Sequence, residues 1–561
     1  MHKSFALAAA VGCAAILPAQ QSYSQFEKKL SGDQEILHAL DRLTFGPRPG
    51  DVDAVKKMGL SKWIDLQLQP ERIPENEALT KRVETLIEPS TPAALGQVAF
   101  RLASTMQGQM SLQQLLTPQQ IQLLRTGSDK EGLELLATFP REKVVQVLAS
   151  MPAVRPRLAP LLDADLRKMV EAAVPVPVQP GQILAQGKLY RAVQSDRQLE
   201  EVLVDFWFNH FNVDAGKGTV RAMVTAYERD AIRPHVLGKF RDLLEATANS
   251  PAMLFYLDNY QSSVPMPAPA LPANGRPLLN LPAARGLNEN YARELMELHT
   301  LGVDGGYTQK DIVEVARCFT GWTIDTPGRG GPFRFDDAMH DKGEKTLLGV
   351  TIPAGGGKED GEKVLDILAQ QPSTAKFISR ELAQRFVADD PPPALVERLA
   401  KTFHDSDGDI RAVLTTMFAS KEFFSQGAYR AKLKTPFEMV VSAVRATGAE
   451  VDNAAPLVSQ ISAMGEPLYR KLEPTGYSNV GSDWASSAGL MFRMNFAMDL
   501  VQNQVSGVKL DPEMFSAVPA AAARQLLFAD ATPQTLSAIG SEQDPGIIAG
   551  MLLGSPDFQR R

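Results

Sequence analysis

Apolar residues recur at three- and four-residue intervals along nearly the whole chain, whereas alternating or β-branched runs are few and short. The pattern predicts a mostly α protein, a multi-helix globular array. Residues 34–69 read as two helices parted by Phe45-Gly46-Pro47-Arg48-Pro49-Gly50, whose Pro and Gly stop the first before Asp51 caps the second. A Leu- and Gln-rich portion, 91–172, starts helices at Thr117-Pro118 and Pro140 and reads as a helical insert. Val174–Pro180 is a stiff, extended connector and 262–282 a Pro-rich linker. The exception to helix lies near 333–352, where Phe333-Arg334-Phe335 and Thr346 to Ile352 alternate well enough for a small β-hairpin. Beyond 510 the chain continues to 561 as short helices without a chemical signature, and no internal repeat is evident.

The N-terminus changes this picture by implying a compartment. Lys3 precedes the apolar run Phe5 to Leu17, followed by Pro18, Ala19 and a polar Gln/Ser stretch, so residues 1–25 read as a secretory signal peptide. The run is too short to span a bilayer, and no later stretch has the length of a transmembrane helix. Cleavage is expected between Ala19 and Gln25, leaving a helical body over 26–510. Cys13 loosely resembles a lipoprotein box but lies inside the apolar run. The expected location is periplasmic or extracellular, in association with the envelope or free of it.

Composition then narrows the partners. The net charge of −7 becomes one unit more negative without Lys3, and no dense Lys/Arg run exists to neutralise phosphates, which argues against nucleic acid. Loss of Cys13 leaves Cys318 as the one cysteine, so the mature chain has no intrachain disulfide. An exported protein in that position relies on its hydrophobic core, which 44% apolar residues can supply.

Candidate chemistry is densest between Asn288 and Ile324, where two amphipathic helices flank a glycine turn. At 100° per residue, Asn290, Arg293, Glu294 and Glu297 share one helix face, and Ala292, Leu295, Met296 and His299 another. His210 likewise sits among apolar neighbours, following Leu203, Phe206 and Trp207 on its helix. Two such histidines are either core residues satisfied by backbone or ligands converging on a divalent metal with a carboxylate. Neither HExxH nor another compact ligand pair is present. His340-Asp341-Lys342-Gly343-Glu344-Lys345 gathers histidine, acid and lysine on an exposed connection, as a functional loop or an ordinary turn would.

Other motifs yield to simpler accounts. Gly302 to Thr308 lacks the lysine of a phosphate loop and reads as a tight turn using Gly305 or Gly306 at positive φ. It is followed by a Thr308–Asp311 capping box. Asp405-Ser406-Asp407-Gly408-Asp409 has its Gly misplaced for a calcium loop and reads as a turn and helix cap. There is no Gly-x-Ser-x-Gly elbow, and Cys318 falls within an apolar helical pattern.

Several segments together resemble the bacterial family called domain of unknown function 1800. They are Leu43 to Pro47, Phe206-Trp207-Phe208-Asn209-His210-Phe211, Asn288 to Trp322, His340 to Lys345 and Ala375 to Phe386, with Lys434 to Glu438, Gly476-Tyr477-Ser478, Trp484 and Arg493-Met494-Asn495. The resemblance implies an exported, largely helical protein and carries no established reaction.

The reading that unites these residues is a polar cleft formed by segments 199–213, 288–300 and 340–345. Glu294, Glu297, His340 and Lys345 are its candidate catalytic groups, Asn209, Arg293 and Trp322 its candidate substrate contacts, and His210 and His299 its candidate metal ligands. The alternative is a non-catalytic binding or assembly module of the cell envelope, in which the same residues form a buried network that fixes helix packing. The partner is then an unidentified ligand or envelope protein.

Overall fold

In the computed structural model the described residues are 23–87, 115–151, 153–173, 180–265, 286–516, 518–528 and 531–561. Most of the expected leader with Cys13, the first part of the insert, residues 174–179 of the connector and most of the Pro-rich linker lie outside them. Helices dominate, and the sheets among the described residues are three two-stranded antiparallel pairs, so the mostly α reading holds. No helix among the described residues is long and apolar enough to cross a membrane.

Local chemistry explains the helix starts. Ser31 with Gln34, Thr117 with Gln120, Ser128 with Glu131 and Thr435 with Glu438 each form a reciprocal capping box, which satisfies amide groups that the first turn leaves unpaired. The predicted Thr308–Asp311 box is present, and Gly306 takes φ 82° in the turn before it. The Asp405–Asp409 segment is a turn with Gly408 at φ 68°, and Asp409 caps the helix Ile410–Phe418 through the Ala412 amide.

One large core draws residues from Ala39 to Phe558, so the C-terminal short helices share it with the helical body. A separate small core, from Leu116 to Val170, belongs to the insert alone. The main core is threaded by the helix Gln198–His210, buried on nearly every side. Leu203, Phe206, Trp207 and Phe208 are buried, whereas Asp205 and Asn209 keep partial access. Backbone pairing of Lys432 and Lys434 with Arg561 and Gln559 ties the last residues to the entrance of the helix Pro436–Ala446.

The helix predicted over 290–300 changes pitch at Leu295. Asn290–Glu294 is α-helical and Leu295–Thr300 widens to a π-turn, with the Leu301 amide reaching the Met296 carbonyl and the Thr300 hydroxyl donating to the Leu295 carbonyl. The two predicted faces survive the change. Ala292, Leu295, Met296 and His299 are buried, and Arg293, Glu294 and Glu297 lie partly open.

The strands pair differently from the single predicted hairpin. A hairpin does form, from Lys345–Leu347 and Val350–Ile352, but Phe333–Phe335 pairs instead with Trp322–Ile324, in the register Trp322 to Phe335. The reason is packing. Trp322 is fully buried between Phe319 and Phe333, and this aromatic stack draws the later strand to it. The indole also lies against Gly361, where an added Cβ would stand 2.7 Å from ring atoms. Gly361→Ala is therefore expected to cost about 1–3 kcal/mol by overpacking a rigid ring. A urea melt checks this, and an unchanged midpoint would show that the contact can relax.

Candidate functional site

The predicted site residues separate into groups. His340 and Lys345 do come together, and they do so on Asp360, which lies in the first turn of the helix Lys358–Ala369. Lys345 Nζ is 2.5 Å from Asp360 Oδ2, His340 Nε2 is 3.2 Å from the same oxygen, and Lys345 Nζ is 3.4 Å from His340 Nε2. His340 Nδ1 faces the Thr320 carbonyl at 2.8 Å, and Lys345 also donates to the Asp341 carbonyl. All three side chains are essentially sealed from solvent. Their charges and polar atoms are spent on one another, and the result clips the 345–352 hairpin to the adjoining helix. Trp322 belongs to the same neighbourhood as a core residue, with Lys358 Nζ 5.5 Å above its ring. Cys318 is also buried, and burial pushes its thiol up to about 12, as expected for an unreactive core residue.

His210 and His299 form a second group. Their ring centroids are 6.3 Å apart, and His210 Nε2 meets the His299 carbonyl at 3.2 Å. Aromatic rings surround them, with Trp207 beside His210 and Phe211 beside both. Burial brings His210 down to about 4 and His299 to about 3, so both are neutral at pH 7. Among the described residues no set of three or more His, Cys, Asp and Glu side chains is arranged to hold a metal.

Arg293, Glu294 and Glu297 make a third group on the outer face of their helix. Arg293 reaches Glu289 and Gln309, and Glu297 accepts weakly from the Tyr307 hydroxyl at 3.5 Å. Glu294 is raised by partial burial and then by the charge of Glu297.

Asn209 leads elsewhere, to a cavity of about 40 Å³ that holds room for a few waters. Its side-chain amide donates to the Tyr477 carbonyl at 2.8 Å and accepts from the Tyr477 amide at 2.6 Å. Asn212 adds bonds to the carbonyls of Lys471 and Glu473, so the 471–477 strip hangs from the end of the Gln198–His210 helix. Beneath that strip the cavity is lined by Lys188, Asp205, Arg385, Glu466, Tyr469 and Tyr477. Lys188 Nζ is 2.6 Å from Asp205 Oδ1, and Arg385 approaches Asp205 Oδ2 at 3.6 Å. Arg385 also pairs with Glu438, which accepts from Arg561 at 2.8 Å and from the Thr435 amide at 3.0 Å. Burial alone would raise Glu438, yet the two arginines bring it down to about 2.

Glu466 behaves oppositely. Burial, reinforced by the charge of Asp205, pushes it up to about 8 although its Oε2 accepts from the Phe437 amide at 2.8 Å. Glu466, whose neutral form burial and the Asp205 charge favour, thus shares a small polar space with the ion-paired Asp205, and a carboxyl kept protonated there is a candidate proton donor. Asp205 and Glu466 were not among the residues predicted from sequence. Asp205 sits within an otherwise apolar helix, which is a weak signal, whereas Glu466 in Gly465-Glu466-Pro467 reads as an ordinary loop acid.

The lining draws on Phe206, Phe208 and Asn209, on Arg385, on Thr435 and on Tyr477-Ser478, each group from a different segment among those that carry the family resemblance. The family described as a protein of unknown function (DUF1800) matches residues 38–560, nearly the whole chain, and the protein belongs to it. No curated protein and no solved structure matches.

Two outcomes follow for the buried groups. Lys345→Met leaves Asp360 and His340 without their cation and is expected to cost about 3–5 kcal/mol in a denaturant melt. A loss below about 1 kcal/mol would mean the triad is not structural. The neutral histidines make acid destabilising, because the unfolded chain binds protons near pH 6.5 that the folded state refuses until about 4 and about 3. Stability is expected to fall as pH drops from 6.5 to 4, by about 3 kcal/mol for each histidine. The His210→Gln, His299→Gln double variant should show a flatter pH profile, and an identical slope would contradict the assignment.

Proposed function

We propose that this protein is an exported acid–base enzyme that cleaves a C–O bond of a polar substrate, with Glu466 as proton donor and Asp205 as fixed anion. The observation that carries the reading is the buried Glu466 carboxyl beside the ion-paired Asp205 at a solvent-sized cavity where four separate family-resemblance segments meet. The Lys3 and Phe5–Leu17 leader pattern supports export. In the first step Glu466 gives its proton to the departing oxygen as the C–O bond breaks, and Asp205 stabilises the positive charge that develops on carbon. In the second, water adds to that carbon and its surplus proton returns to the Glu466 carboxylate, which restores the starting state. Arg385 and Lys188 hold Asp205 in place, and Tyr477 covers the site.

The sealed His340–Asp360–Lys345 triad and the aromatic-encased His210–His299 pair take the architectural role in this reading, because the triad is paired within the protein and aromatic rings enclose the two histidines. Arg293, Glu294 and Glu297 are left as a solvated face.

The test is turnover of unactivated alkyl glycosides, whose departing oxygen needs a proton, by the purified mature protein between pH 5 and 9. Glu466→Gln and Asp205→Asn should each lose at least about 100-fold in rate. Turnover per folded molecule should survive Lys345→Met. No turnover of any member, or turnover that survives Glu466→Gln, would contradict the proposal.

A further inference from the structure

Outside the small cavity lies a broader cleft of about 690 Å³, between the start of the helix Pro180–Gln194, the 215–221 turn and the 458–470 segment. Leu468 borders both spaces, and Pro467, which follows Glu466 directly, lines the cleft. A ligand bound in the cleft would therefore lie against the wall that carries the proposed proton donor.

Among the described residues the charged side chains lining the cleft are cationic, Arg221 and Arg470, and no Asp or Glu lines it. Each is oriented through its Nε. Arg221 Nε donates to the Gly218 carbonyl at 3.0 Å, and Arg470 Nε lies 3.4 Å from Asp214 Oδ1, which also accepts from the Gly216 amide at 2.7 Å. The Arg470 guanidinium rests on Gly216, where a Cβ would come within 2.9 Å of its terminal nitrogen. Holding a guanidinium by Nε leaves its terminal nitrogens as a fork for an oxyanion. Gln182, Ser459 and Ser462 add neutral hydrogen-bonding groups along the same cleft.

We infer that this cleft binds a hydroxyl-rich ligand bearing an oxyanion, of the acidic-sugar type, with Arg221 and Arg470 as its anion fork. The assignment rests on the acid–base reading for its role as a substrate subsite, and on the cleft geometry alone for anion binding. An anion placed here would present its neutral portion towards Leu468 and the inner cavity.

The experiment is calorimetric titration of the purified mature protein with trigalacturonate, inorganic sulfate and maltotriose as probes. Trigalacturonate should bind, more weakly as salt rises, and Arg221→Gln and Arg470→Gln should each weaken it about tenfold. Maltotriose should bind at least about tenfold more weakly, since it lacks the charge. Stronger binding of trigalacturonate than of sulfate identifies a sugar carboxylate as the ligand. Sulfate binding as strong as trigalacturonate, with both lost in the double arginine variant, overturns the acidic-sugar assignment and leaves a bare oxyanion site. No binding of either anion, or binding that the double variant retains, overturns the fork itself. Calorimetry reads binding without turnover, so a failure of the acid–base reading would show separately from a failure of this one.

Discussion

Asp205 inside an otherwise buried helix is the constraint on which the rest of the structure depends. A carboxylate in that position is costly unless cations meet it, and Lys188 and Arg385 do so from two other helices. Arg385 then requires Glu438, and Glu438 requires Arg561, so the chain of compensation runs from the middle of the sequence to its last residue. The Lys188 ammonium lies 5.1 Å from the ring centres of both Phe437 and Tyr469, which fixes those rings around the same point. Helices that would otherwise pack interchangeably are thereby held in one arrangement.

The same network leaves Glu466 without a salt bridge among the described residues. It shares the space with Asp205, accepts from the Phe437 amide at the start of a helix and is hydrogen-bonded by the Thr435 side chain. A carboxyl that both caps a helix and stays protonated is under two demands, and the conflict is settled in favour of the acid because burial and Asp205 act together. The contrast with His340, Lys345 and Asp360 is instructive. There the three side chains are paired with one another and sealed from solvent, whereas the Glu466 carboxyl borders a space large enough for water.

Much of the fold was legible because it is decided locally. Thr308 with Asp311 announces a helix start in any context, and the spacing of Ala292, Leu295, Met296 and His299 marks a buried face even though the helix widens at Leu295. The site was less legible because it is made by distant pairs. His340 and Lys345 lie close in sequence and could be suspected together, yet Asp360 in Lys358-Glu359-Asp360 looks like any acid in a helix's first turn. Glu438 to Arg561 and Asp205 to Arg385 are contacts that no periodicity encodes. Asn209, a ligand contact on the sequence pattern, does line the cavity, but its amide is spent on the Tyr477 backbone. The single hairpin expected near 333–352 gave way to two pairings because Trp322 offered Phe333 and Phe335 a better apolar surface.

The most direct measurement is a carbon-13 NMR titration of the glutamate carboxyls in the folded protein. The account predicts one glutamate that changes ionisation near pH 8, vanishes in Glu466→Gln and moves to lower pH in Asp205→Asn. If every glutamate titrates at or below about pH 5 instead, as ordinary carboxyls do, the buried acid does not exist and the central claim is wrong.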